Sequence, residues 1–412
     1  MTQAFQKITV RCCIAGGGPA GMMLGLLLAR AGVEVLVLEK HGDFLRDFRG
    51  DTIHPSTLEL MYELGMLDEF LKLPHQEVRE LVAQYGSEKF TVADLTHLPT
   101  QCKFIALMPQ WDFLNFIAAK ARRYPSFQLR MESEVTDLIQ EGERVTGVRA
   151  DTREGPLEVG ADLVAGTDGR HSTVRQKAGL KVVDLGAPMD VLWMRLSRHP
   201  DDPAQTLGRF DAGRIFITID RGDHWQCAYV IKKGSFAEIQ RNGLPALQDD
   251  LRRLAPFLGE RVKEVAGWDD VKLLTVAADR LKQWYRPGLL CIGDAAHAMS
   301  PIGGVGINLA IQDAVATANI LAGPLARRAV TIDDLHRVQD RREWPTRMTQ
   351  RVQGFVQDRV IGSLLSNHER PASPLLLKLL NGWPLLRRIP GRLAGMGFRP
   401  EHVTPTVQAT GK

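Results

Sequence analysis

The apolar and polar positions at the start of the chain predict a strand, a turn, a helix and a second strand. Residues 8–15, ITVRCCIA, are rich in β-branched and small apolar side chains, as in a buried strand that stops at a glycine. The apolar run MMLGLLLARAG over 22–32 indicates a helix that ends at Gly32 with Arg30 in its last turn. EVLVLEK, residues 34–40, follows as the second strand.

A β-rich pattern occupies the middle of the chain. The segments VLWMRL, TLGRF, GRIFITID and HWQCAYVIKKG lie between residues 191 and 234 with turn residues between them, as in an antiparallel sheet. We predict that 181–275 form a separate sheet domain and that 77–100 add strands to it. The charged helix around LPALQDDLRRLAPFL is interpreted as packing for this sheet.

Two later strand-to-helix junctions carry polar residues and glycines. ADLVAGTDGRHSTVR, residues 161–175, indicates a strand that enters a polar turn, with Ser172 placed to cap a short helix. In GLLCIGDAAHAMSPIGGVGINLAIQDA, residues 288–314, a buried strand ends just before Asp294, and a glycine-rich loop leads to a helix that begins near Ile307. Because ligands of α/β sheets bind at the carboxyl ends of the strands, we expect Asp294 and this loop to face a ligand.

Composition and charge are those of a folded globular protein. The 412 residues are 44% hydrophobic and 24% charged, enough for a large core in two or three units. The formal net charge is +4, but residues 321–412 hold fifteen Lys and Arg against seven Asp and Glu. A basic end can attract a phosphorylated cosubstrate, an anionic membrane or nucleic acid. We favour a solvated arginine-rich helix face and expect no nucleic-acid partner.

Cysteine usage and the apolar runs favour a cytoplasmic protein. The five cysteines have neither CxxC spacing nor an even count, which suits a reducing compartment. The early apolar run over 22–31 lacks a cleavage pattern and is too short to span a bilayer. His297 and Asp294 are weak metal candidates, so we expect no metal site and interpret His297 as structural. A monomer and a homodimer both remain open.

The glycines after the first strand have the spacing of a dinucleotide-binding turn. Gly16, Gly18 and Gly21 spell G-x-G-x-x-G: the first makes the turn, the second admits a pyrophosphate, and the third lets the helix pack on the strand. The helix N-terminus adds free N–H groups and a positive dipole end. Glu39, at the end of the second strand, is placed to accept hydrogen bonds from ribose hydroxyls and disfavours a 2′-phosphate. The alternative is a purely structural turn, and the motif alone does not choose between NAD and FAD.

The second helix start favours a flavin over NAD. Its free N–H groups favour negative charge in front of the helix that begins near Ile307. A reduced flavin ring carries such charge near N1, whereas NAD has no use for a second anion-stabilising helix end so far along the chain. This interpretation requires Gly18 and Gly306 to lie close enough for one extended FAD molecule to touch both.

Together, these motifs resemble the group A FAD-dependent monooxygenases, the family of para-hydroxybenzoate hydroxylase and of the ubiquinone-biosynthesis hydroxylases. The matching residues span roughly residues 8–320 and are Gly16, Gly18, Gly21 and Glu39, then Asp168-Gly169-Arg170 with His171 to Arg175, then Gly293-Asp294-Ala295-Ala296-His297 with Pro301 and Gly303 to Asn308.

The resemblance implies an α/β fold: a Rossmann-like FAD-binding domain with an inserted antiparallel-sheet substrate domain and a C-terminal helical segment. The predicted boundaries are 1–76, 101–180 and 276–365 for the FAD-binding domain, 77–100 and 181–275 for the substrate domain, and 366–412 for the C-terminal segment.

The resemblance also implies roles for individual residues. Glu39 would hold the adenosine ribose, and Asp294 a ribityl hydroxyl. Arg49 would lie near the ribose and pyrophosphate, with an exposed loop arginine as the alternative, and Gln110 beside the cofactor. Asp168 belongs to a segment implicated in both FAD and NAD(P)H binding. The full predicted cofactor set is Gly16, Gly18, Pro19, Ala20, Gly21, Glu39, Lys40, Arg49, Gln110, Asp168, Gly169, Gly293, Asp294, Pro301, Gly303, Gly304, Val305, Gly306, Ile307 and Asn308. Relatives often have a glutamine where this chain has Gly304.

The implied activity is that of a monooxygenase. NAD(P)H would reduce FAD, dioxygen would add to the reduced ring, and the resulting flavin hydroperoxide would transfer one oxygen atom to an aromatic or otherwise electron-rich small molecule. No catalytic side chain is assigned, and Tyr229 is interpreted as a packed strand residue. The alternatives are an FAD-dependent dehydrogenase or reductase of an isoprenoid or polyketide, and a non-catalytic flavin-binding protein. The chain lacks a GWxWxIP-like segment, which disfavours a halogenase.

The C-terminal segment mixes apolar and basic residues. LLLKLLNGWPLLRRIPGRLAGMGF, residues 375–398, can lie on a membrane or cover an apolar substrate. We favour docking against the protein's own surface, because Pro384 and Pro390 interrupt a long continuous helix.

Overall fold

The computed structural model describes residues 6–45, 52–86, 88–203, 207–211, 213–362 and 375–404. Its helices are α1 (Pro19–Arg30), α2 (Pro55–Glu63), α3 (Leu67–Phe70), α4 (Gln110–Ala121), α5 (Thr173–Lys177), α6 (Phe236–Asn242), α7 (Leu244–Leu254), α8 (Gly306–Ala326), α9 (Ile332–Val356), α10 (Leu375–Gly382) and α11 (Arg388–Met396). Some helices are connected by 3₁₀ segments at Pro256–Glu264, Trp268–Asp270, Gly293–Ala295, Ile302–Gly304 and Pro384–Arg387, and by a π turn at Gln357–Gly362.

The strands are β1 (Gln6–Ala15), β2 (Val35–Leu38), β3 (Thr52–Ile53), β4 (Gln76–Val78), β5 (Glu80–Tyr85), β6 (Glu88–Asp94), β7 (Ile105–Leu107), β8 (Phe127–Arg130), β9 (Ser133–Glu141), β10 (Arg144–Thr152), β11 (Gly155–Gly166), β12 (Val182–Asp184), β13 (Met189–Ser197), β14 (Leu207–Asp211), β15 (Arg214–Asp220), β16 (His224–Lys232), β17 (Lys272–Leu274), β18 (Asp279–Leu281), β19 (Tyr285–Arg286) and β20 (Leu289–Cys291).

A largely parallel sheet forms the centre of the first layer. Its strand order is β19-β20-β11-β1-β2-β8, with β9 and β10 added as an antiparallel extension on β11. β1 pairs in parallel with both β11 and β2. Its residues 12–15 are fully buried, as in a strand covered on both faces. Because these strands run in parallel, their carboxyl ends meet at one edge, where the motifs after β1, β11 and β20 come together.

Helices α1 and α8 pack side by side against this sheet. Nearly every residue of α1 is buried, because apolar side chains cover most of its circumference. The segment 302–326 is long and apolar enough to cross a bilayer by length and composition, yet most of it is buried inside the fold. In this structure α8 is therefore a core helix of the parallel-sheet layer.

A second, seven-stranded sheet has the order β17-β13-β16-β15-β14-β5-β6. Its strands come from the two chain segments that the sequence assigned to the substrate domain. All its pairs are antiparallel except that of β14 with β5, which is parallel. The predicted antiparallel pattern thus fails for this one pair. The reason is that β5 comes from a distant part of the chain and is not joined to β14 by a hairpin.

The two faces of the second sheet have different neighbours. One face packs against α7 and the turn that follows it, and buries Leu192, Phe216 and Tyr229 with Leu247 and Leu251. The helix therefore packs as the sequence predicted. Tyr229 lies on this helix-covered face, where its hydroxyl donates to Asp250 at 3.0 Å. The interpretation of Tyr229 as a packed strand residue agrees with this position.

The C-terminal helix α11 returns to the fold and packs on β6. A Cβ on Gly391 would lie 2.0 Å from the carbonyl oxygen of Asp94, and one on Gly395 would lie 2.4 Å from a methyl of Leu98. The glycine side of α11 therefore forms the contact with the protein, which agrees with the predicted docking. The exact domain boundaries stay a prediction.

Candidate functional site

The glycine-rich turn lies between β1 and α1, at the carboxyl edge of the parallel sheet. A Cβ on Gly21 would lie 2.0 Å from the carbonyl oxygen of Gly16, so a larger residue would displace the backbone. A Cβ on Gly18 would meet no atom within 4 Å, so the chain at Gly18 faces open space. Gly18 precedes α1 without a side-chain cap, and Pro19 opens the helix. Open space before an uncapped helix N-terminus fits a pyrophosphate.

Glu39 holds the glycine-rich turn from the end of β2. Its carboxylate accepts hydrogen bonds from the backbone N–H of Gly17 at 2.8 Å and of His41 at 3.1 Å. The side chain is buried beside the turn, whereas the neighbouring Lys40 is exposed. Since a carboxylate has about four acceptor positions, Glu39 can support the turn and also receive ribose hydroxyls.

The polar turn after β11 is organised by Asp168. Its carboxylate accepts hydrogen bonds from the hydroxyl of Ser172 and from the N–H of Val174. The hydroxyl of Ser172 in turn caps α5 by accepting from the N–H of Arg175 at 2.9 Å, as the sequence predicted. Burial raises the pKa of Asp168 above its usual value, although these hydrogen bonds oppose the rise. The carboxylate thus orders this turn, and its contact with FAD or NAD(P)H stays a prediction, as does that of Gly169.

The turn after β20 brings the two helix N-termini together. A Cβ on Gly293 would lie 3.1 Å from the Cβ of Ala20 in α1 and 3.1 Å from the Cβ of Ala310 in α8. Ala20 is two residues after Gly18, and Ala310 is one helical turn after Gly306. The two helix starts are therefore neighbours, and one extended dinucleotide can reach both.

Asp294 extends from the same turn towards the solvent side of the crevice. About a third of its side chain is exposed, and its carboxylate lies 3.9 Å from the guanidinium of Arg170. Because Arg170 also lies on the turn after β11, this pair spans the two junctions that the sequence singled out. An exposed carboxylate at this edge fits the predicted contact with a ribityl hydroxyl.

The loop from Pro301 to Gly306 is fastened to β3. The hydroxyl of Thr52 donates to the carbonyl oxygen of Gly304 at 2.9 Å. Gly304 has a φ of +62°, and a Cβ there would lie 2.3 Å from the Thr52 hydroxyl oxygen. A side chain at position 304 would therefore clash with Thr52 and require a strained backbone. Gly303, Val305 and Ile307 complete the loop and the first turn of α8, which has no side-chain cap and no acidic residue.

Asn308 fixes the start of α8 through its side-chain amide. Its oxygen accepts from the N–H of His54 at 2.9 Å and from the hydroxyl of Thr57 at 2.8 Å. Its nitrogen donates to the carbonyl of Thr52 at 3.1 Å. The side chain of Asn308 therefore supports the loop from behind, and its contact with a cofactor stays a prediction.

A buried ion network, which the sequence did not reveal, supports the turn after β20. Asp313 of α8 accepts from the N–H of Gly293 at 3.1 Å, from His297 at 2.6 Å and from Arg342 of α9 at 2.9 Å. Arg342 also donates to Glu401 at 3.1 Å. Burial alone would raise the pKa of Asp313, but His297 and Arg342 hold it below its usual value. These contacts agree with the structural interpretation of His297.

Three buried glutamines hold the segment that enters the loop. The side-chain amide of Gln353 donates to the carbonyls of Ser300 and Ile302, each at 2.9 Å. The amide of Gln350 donates to the backbone carbonyl of Asp279, and the amide of Gln357 donates to the hydroxyl of Ser300. The sequence indicated only an arginine-rich helical region here. No local signal distinguishes these glutamines from solvated ones, because their partners lie about fifty or more positions away in the sequence.

The seven-stranded sheet covers the loop with its apolar face. Ile302 packs into a cluster with Met189, Val191, Ile215 and Val230, and Trp193, Phe210 and Tyr85 lie at the border of the same cluster. The arrangement places an apolar wall against the loop before α8, with Asp211 close enough to Tyr85 to raise the pKa of its hydroxyl.

Comparison with known proteins agrees with this geometry. Residues 9–352 match the family described as an FAD binding domain. The 6-methylpretetramide 4-monooxygenase of Streptomyces rimosus is 32% identical over 382 residues, which cover 92% of this chain and 91% of that protein. This chain belongs to the family of FAD-dependent monooxygenases.

Two nitrophenol monooxygenases resemble this chain, one in sequence and one in fold. The para-nitrophenol 4-monooxygenase of Pseudomonas sp. is 26% identical over 326 residues, 77% of this chain and 79% of that protein. The crystal structure of p-nitrophenol 4-monooxygenase from Pseudomonas putida superposes with a TM-score of 0.76 at 21% identity and covers 95% of this chain and 100% of that chain. These findings confirm the predicted family, the α/β fold with its second sheet domain, FAD as cofactor and monooxygenase activity.

The residues of this monooxygenase fit FAD at both ends of the crevice. Gly18 leaves the space that a pyrophosphate needs, and the uncapped N-terminus of α8 lies below the apolar sheet face. Gln110 begins α4 and is half-buried, and Arg49 lies outside the described residues. The contacts of individual residues with FAD stay predictions. Among the described residues, no group of three His, Cys, Asp or Glu side chains is placed to hold a metal ion.

Proposed function

We propose that this monooxygenase uses NADH or NADPH as electron donor and hydroxylates a polycyclic aromatic small molecule. The observation that carries this proposal is the wall formed by Trp193, Phe210 and Tyr85 against the loop at Ile302. An apolar surface with three aromatic side chains suits a fused-ring substrate better than a small charged acid. The similarity to 6-methylpretetramide 4-monooxygenase over 92% of the chain supports the same substrate class.

The protein's own groups would bind, orient and shield the reactants. FAD, when bound, supplies the electron transfer and oxygen activation. The uncapped start of α8 would stabilise negative charge on the cofactor ring. The sheet face would exclude water, and the glutamines of α9 would keep the loop carbonyls in a fixed position, so that substrate and cofactor meet in one geometry.

Tyr85 is the polar group of this wall. Among the described residues its hydroxyl is buried and has no hydrogen-bond partner. Burial raises the pKa of Tyr85, and Asp211 adds to the rise, so the phenol stays protonated at neutral pH and can donate. We infer that it donates to a phenolic or carbonyl oxygen of the substrate.

The experiment combines cofactor oxidation with product analysis. The purified protein with FAD is given NADH or NADPH, isotopically labelled dioxygen, and a panel of fused-ring phenols and single-ring phenols. We expect a fused-ring product that has gained one labelled oxygen atom, with consumption of one equivalent of reduced nicotinamide. Oxidation of NAD(P)H without transfer of oxygen to any substrate would favour the dehydrogenase or reductase alternative. Exclusive turnover of single-ring phenols would refute the proposed substrate class.

We also propose that the protein works in the cytoplasm. Its five cysteines are free and buried, which supports a reducing compartment. Fractionation of the native host, with detection of the protein by antibody, tests this location.

A further inference from the structure

The C-terminal helices present a basic apolar surface. We define this surface by the outward side chains of the segment 378–392: Lys378, Leu379, Trp383, Leu385, Leu386, Arg388, Ile389 and Arg392. Trp383 and Leu385 are each 67% exposed and Ile389 is 62% exposed, which places them among the most exposed large apolar residues of the described chain. Soluble surfaces rarely collect such side chains in one place without a partner.

The fold leaves most of the area of Trp383, Leu385 and Ile389 exposed to solvent, and 46% of Leu379 and 37% of Leu386. α11 contacts β6 through Gly391 and Gly395, which the backbone of Asp94 and the side chain of Leu98 approach closely. Ile389 therefore points away from the protein although the helix is docked. The surface continues into a groove beside α9 that is lined by Trp344, Leu393 and Phe398, among others.

The charge of this segment has one sign. Residues 375–399 contain five Lys and Arg and no Asp or Glu. Arg387 is engaged internally with the carbonyls of Leu380 and Asn381, but Lys378 and Arg392 are exposed. A twofold dimer through this surface would bring equal charges together. A negatively charged, partly apolar partner would complement both properties.

We propose that the basic apolar surface docks the protein on a membrane that contains anionic lipid. Tryptophan favours the interface between lipid and water, and lysine and arginine reach phosphate groups while their stems cover apolar surface. The protein would lie on the membrane and not span it, since the helices of this segment are short and interrupted by Pro384 and Pro390.

Vesicle flotation of the full-length protein tests the proposal. We expect the protein to float with vesicles of phosphatidylcholine and phosphatidylglycerol, and to float less as salt concentration rises. Vesicles of phosphatidylcholine alone serve as the lipid control. The double variant Lys378→Gln and Arg392→Gln is expected to partition about thirtyfold more weakly, because each basic residue near an anionic surface contributes about fivefold. The matched control changes Arg241 and Arg253, two exposed arginines of α6 and α7, to Gln.

A second variant tests the apolar part of the surface. Trp383→Ser with Ile389→Ser should abolish flotation, whereas the same change at the exposed Leu273 and Ile332 should leave it unaltered. Flavin absorbance and thermal unfolding confirm that each variant is folded. The proposal is overturned if the wild type does not float with anionic vesicles or if the charge variant floats like the wild type. It is also overturned if sedimentation shows that the apolar variant turns a dimer into a monomer, because a second copy would then cover the surface.

Discussion

The buried arginine of the ion network offers the sharpest prediction about how the flavin crevice is held. Arg342 is 1% exposed and lies between two carboxylates, Asp313 and Glu401, which are 0% and 5% exposed. We consider Arg342→Met, which keeps the length of the side chain and removes its charge. The variant leaves both carboxylates buried, with only His297 beside Asp313 and only Arg341 beside Glu401.

The expected loss follows from this burial. Removing one partner of a buried ion pair destabilises a protein by about 3–5 kcal/mol. Arg341→Met is the matched control, because Arg341 is the adjacent residue, is about one-third exposed and also binds Glu401, at 2.7 Å and 3.0 Å. Glu401 keeps Arg342 in that control, so we expect a loss of about 1 kcal/mol or less.

The pH dependence has a definite sign. In the wild type the pKa of Asp313 is lowered, so its contribution to stability is present above its ordinary value of 3.8 and is lost as pH falls below it. Without Arg342, His297 alone opposes the effect of burial, so the pKa of Asp313 is lowered less than in the wild type and its contribution to stability is smaller. The difference in unfolding free energy between wild type and Arg342→Met is therefore expected to grow as pH rises through the acidic range in which Asp313 titrates.

Urea unfolding followed by tryptophan and flavin fluorescence measures both effects. Asp313 also holds the N–H of Gly293, so Arg342→Met should weaken FAD binding as well, while Arg341→Met should not. The reasoning is refuted if the two variants lose equal stability, or if the loss in Arg342→Met does not depend on pH in the stated direction.

Three further changes test the crevice. Gly18→Asp puts a carboxylate where a pyrophosphate is expected. FAD titration should therefore show no binding, although circular dichroism shows a folded chain. Gly18→Ala should still bind FAD, but more weakly than the wild type. Gln353→Leu leaves two loop carbonyls without their donor, which should lower the free energy of unfolding by about 1–3 kcal/mol each. Hydrogen exchange over 303–306 should then accelerate. The control Gln240→Leu, at an exposed position, should change neither the stability nor the exchange. Tyr85→Phe should raise KM for the aromatic substrate about tenfold, as for the loss of one hydrogen bond of about 1.4 kcal/mol. Tyr229→Phe, on the opposite sheet face, should leave KM unchanged, and equal effects in the two tyrosine variants would contradict the assignment of the wall.

The crevice was predictable in its backbone features because they depend on residues close in sequence. The turn at Gly16 to Gly21 sits between one strand and one helix, and Ser172 caps a helix that begins at the next residue. The helix predicted near Ile307 begins at Gly306. Glycine at a close approach and a hydroxyl at a helix start have strong local preferences, and these preferences survive in any fold that keeps the segment intact.

Side-chain partners were not predictable to the same degree. Asn308 was predicted as a cofactor residue, and the sequence did not indicate that its amide binds Thr52, His54 and Thr57, more than two hundred positions away. In the sequence, Asp313 is an ordinary polar residue of an apolar helix, and only the fold places Arg342 next to it. Amides and carboxylates form equally good hydrogen bonds with many partners, so composition alone does not choose among them.

The sequence by itself determined the strand, turn and helix where the diphosphate is predicted to bind, the acid after the second strand and the second glycine-rich loop. Through their order it also determined the family. Only the tertiary structure decided that β14 pairs in parallel with β5, that three glutamines and a buried arginine brace the loop, and that α11 docks by its glycines with Ile389 outward. The physical reason is the range of the interactions. Backbone geometry is set by neighbours within a few residues, whereas burial and pairing of polar side chains depend on segments that meet only when the whole chain has folded.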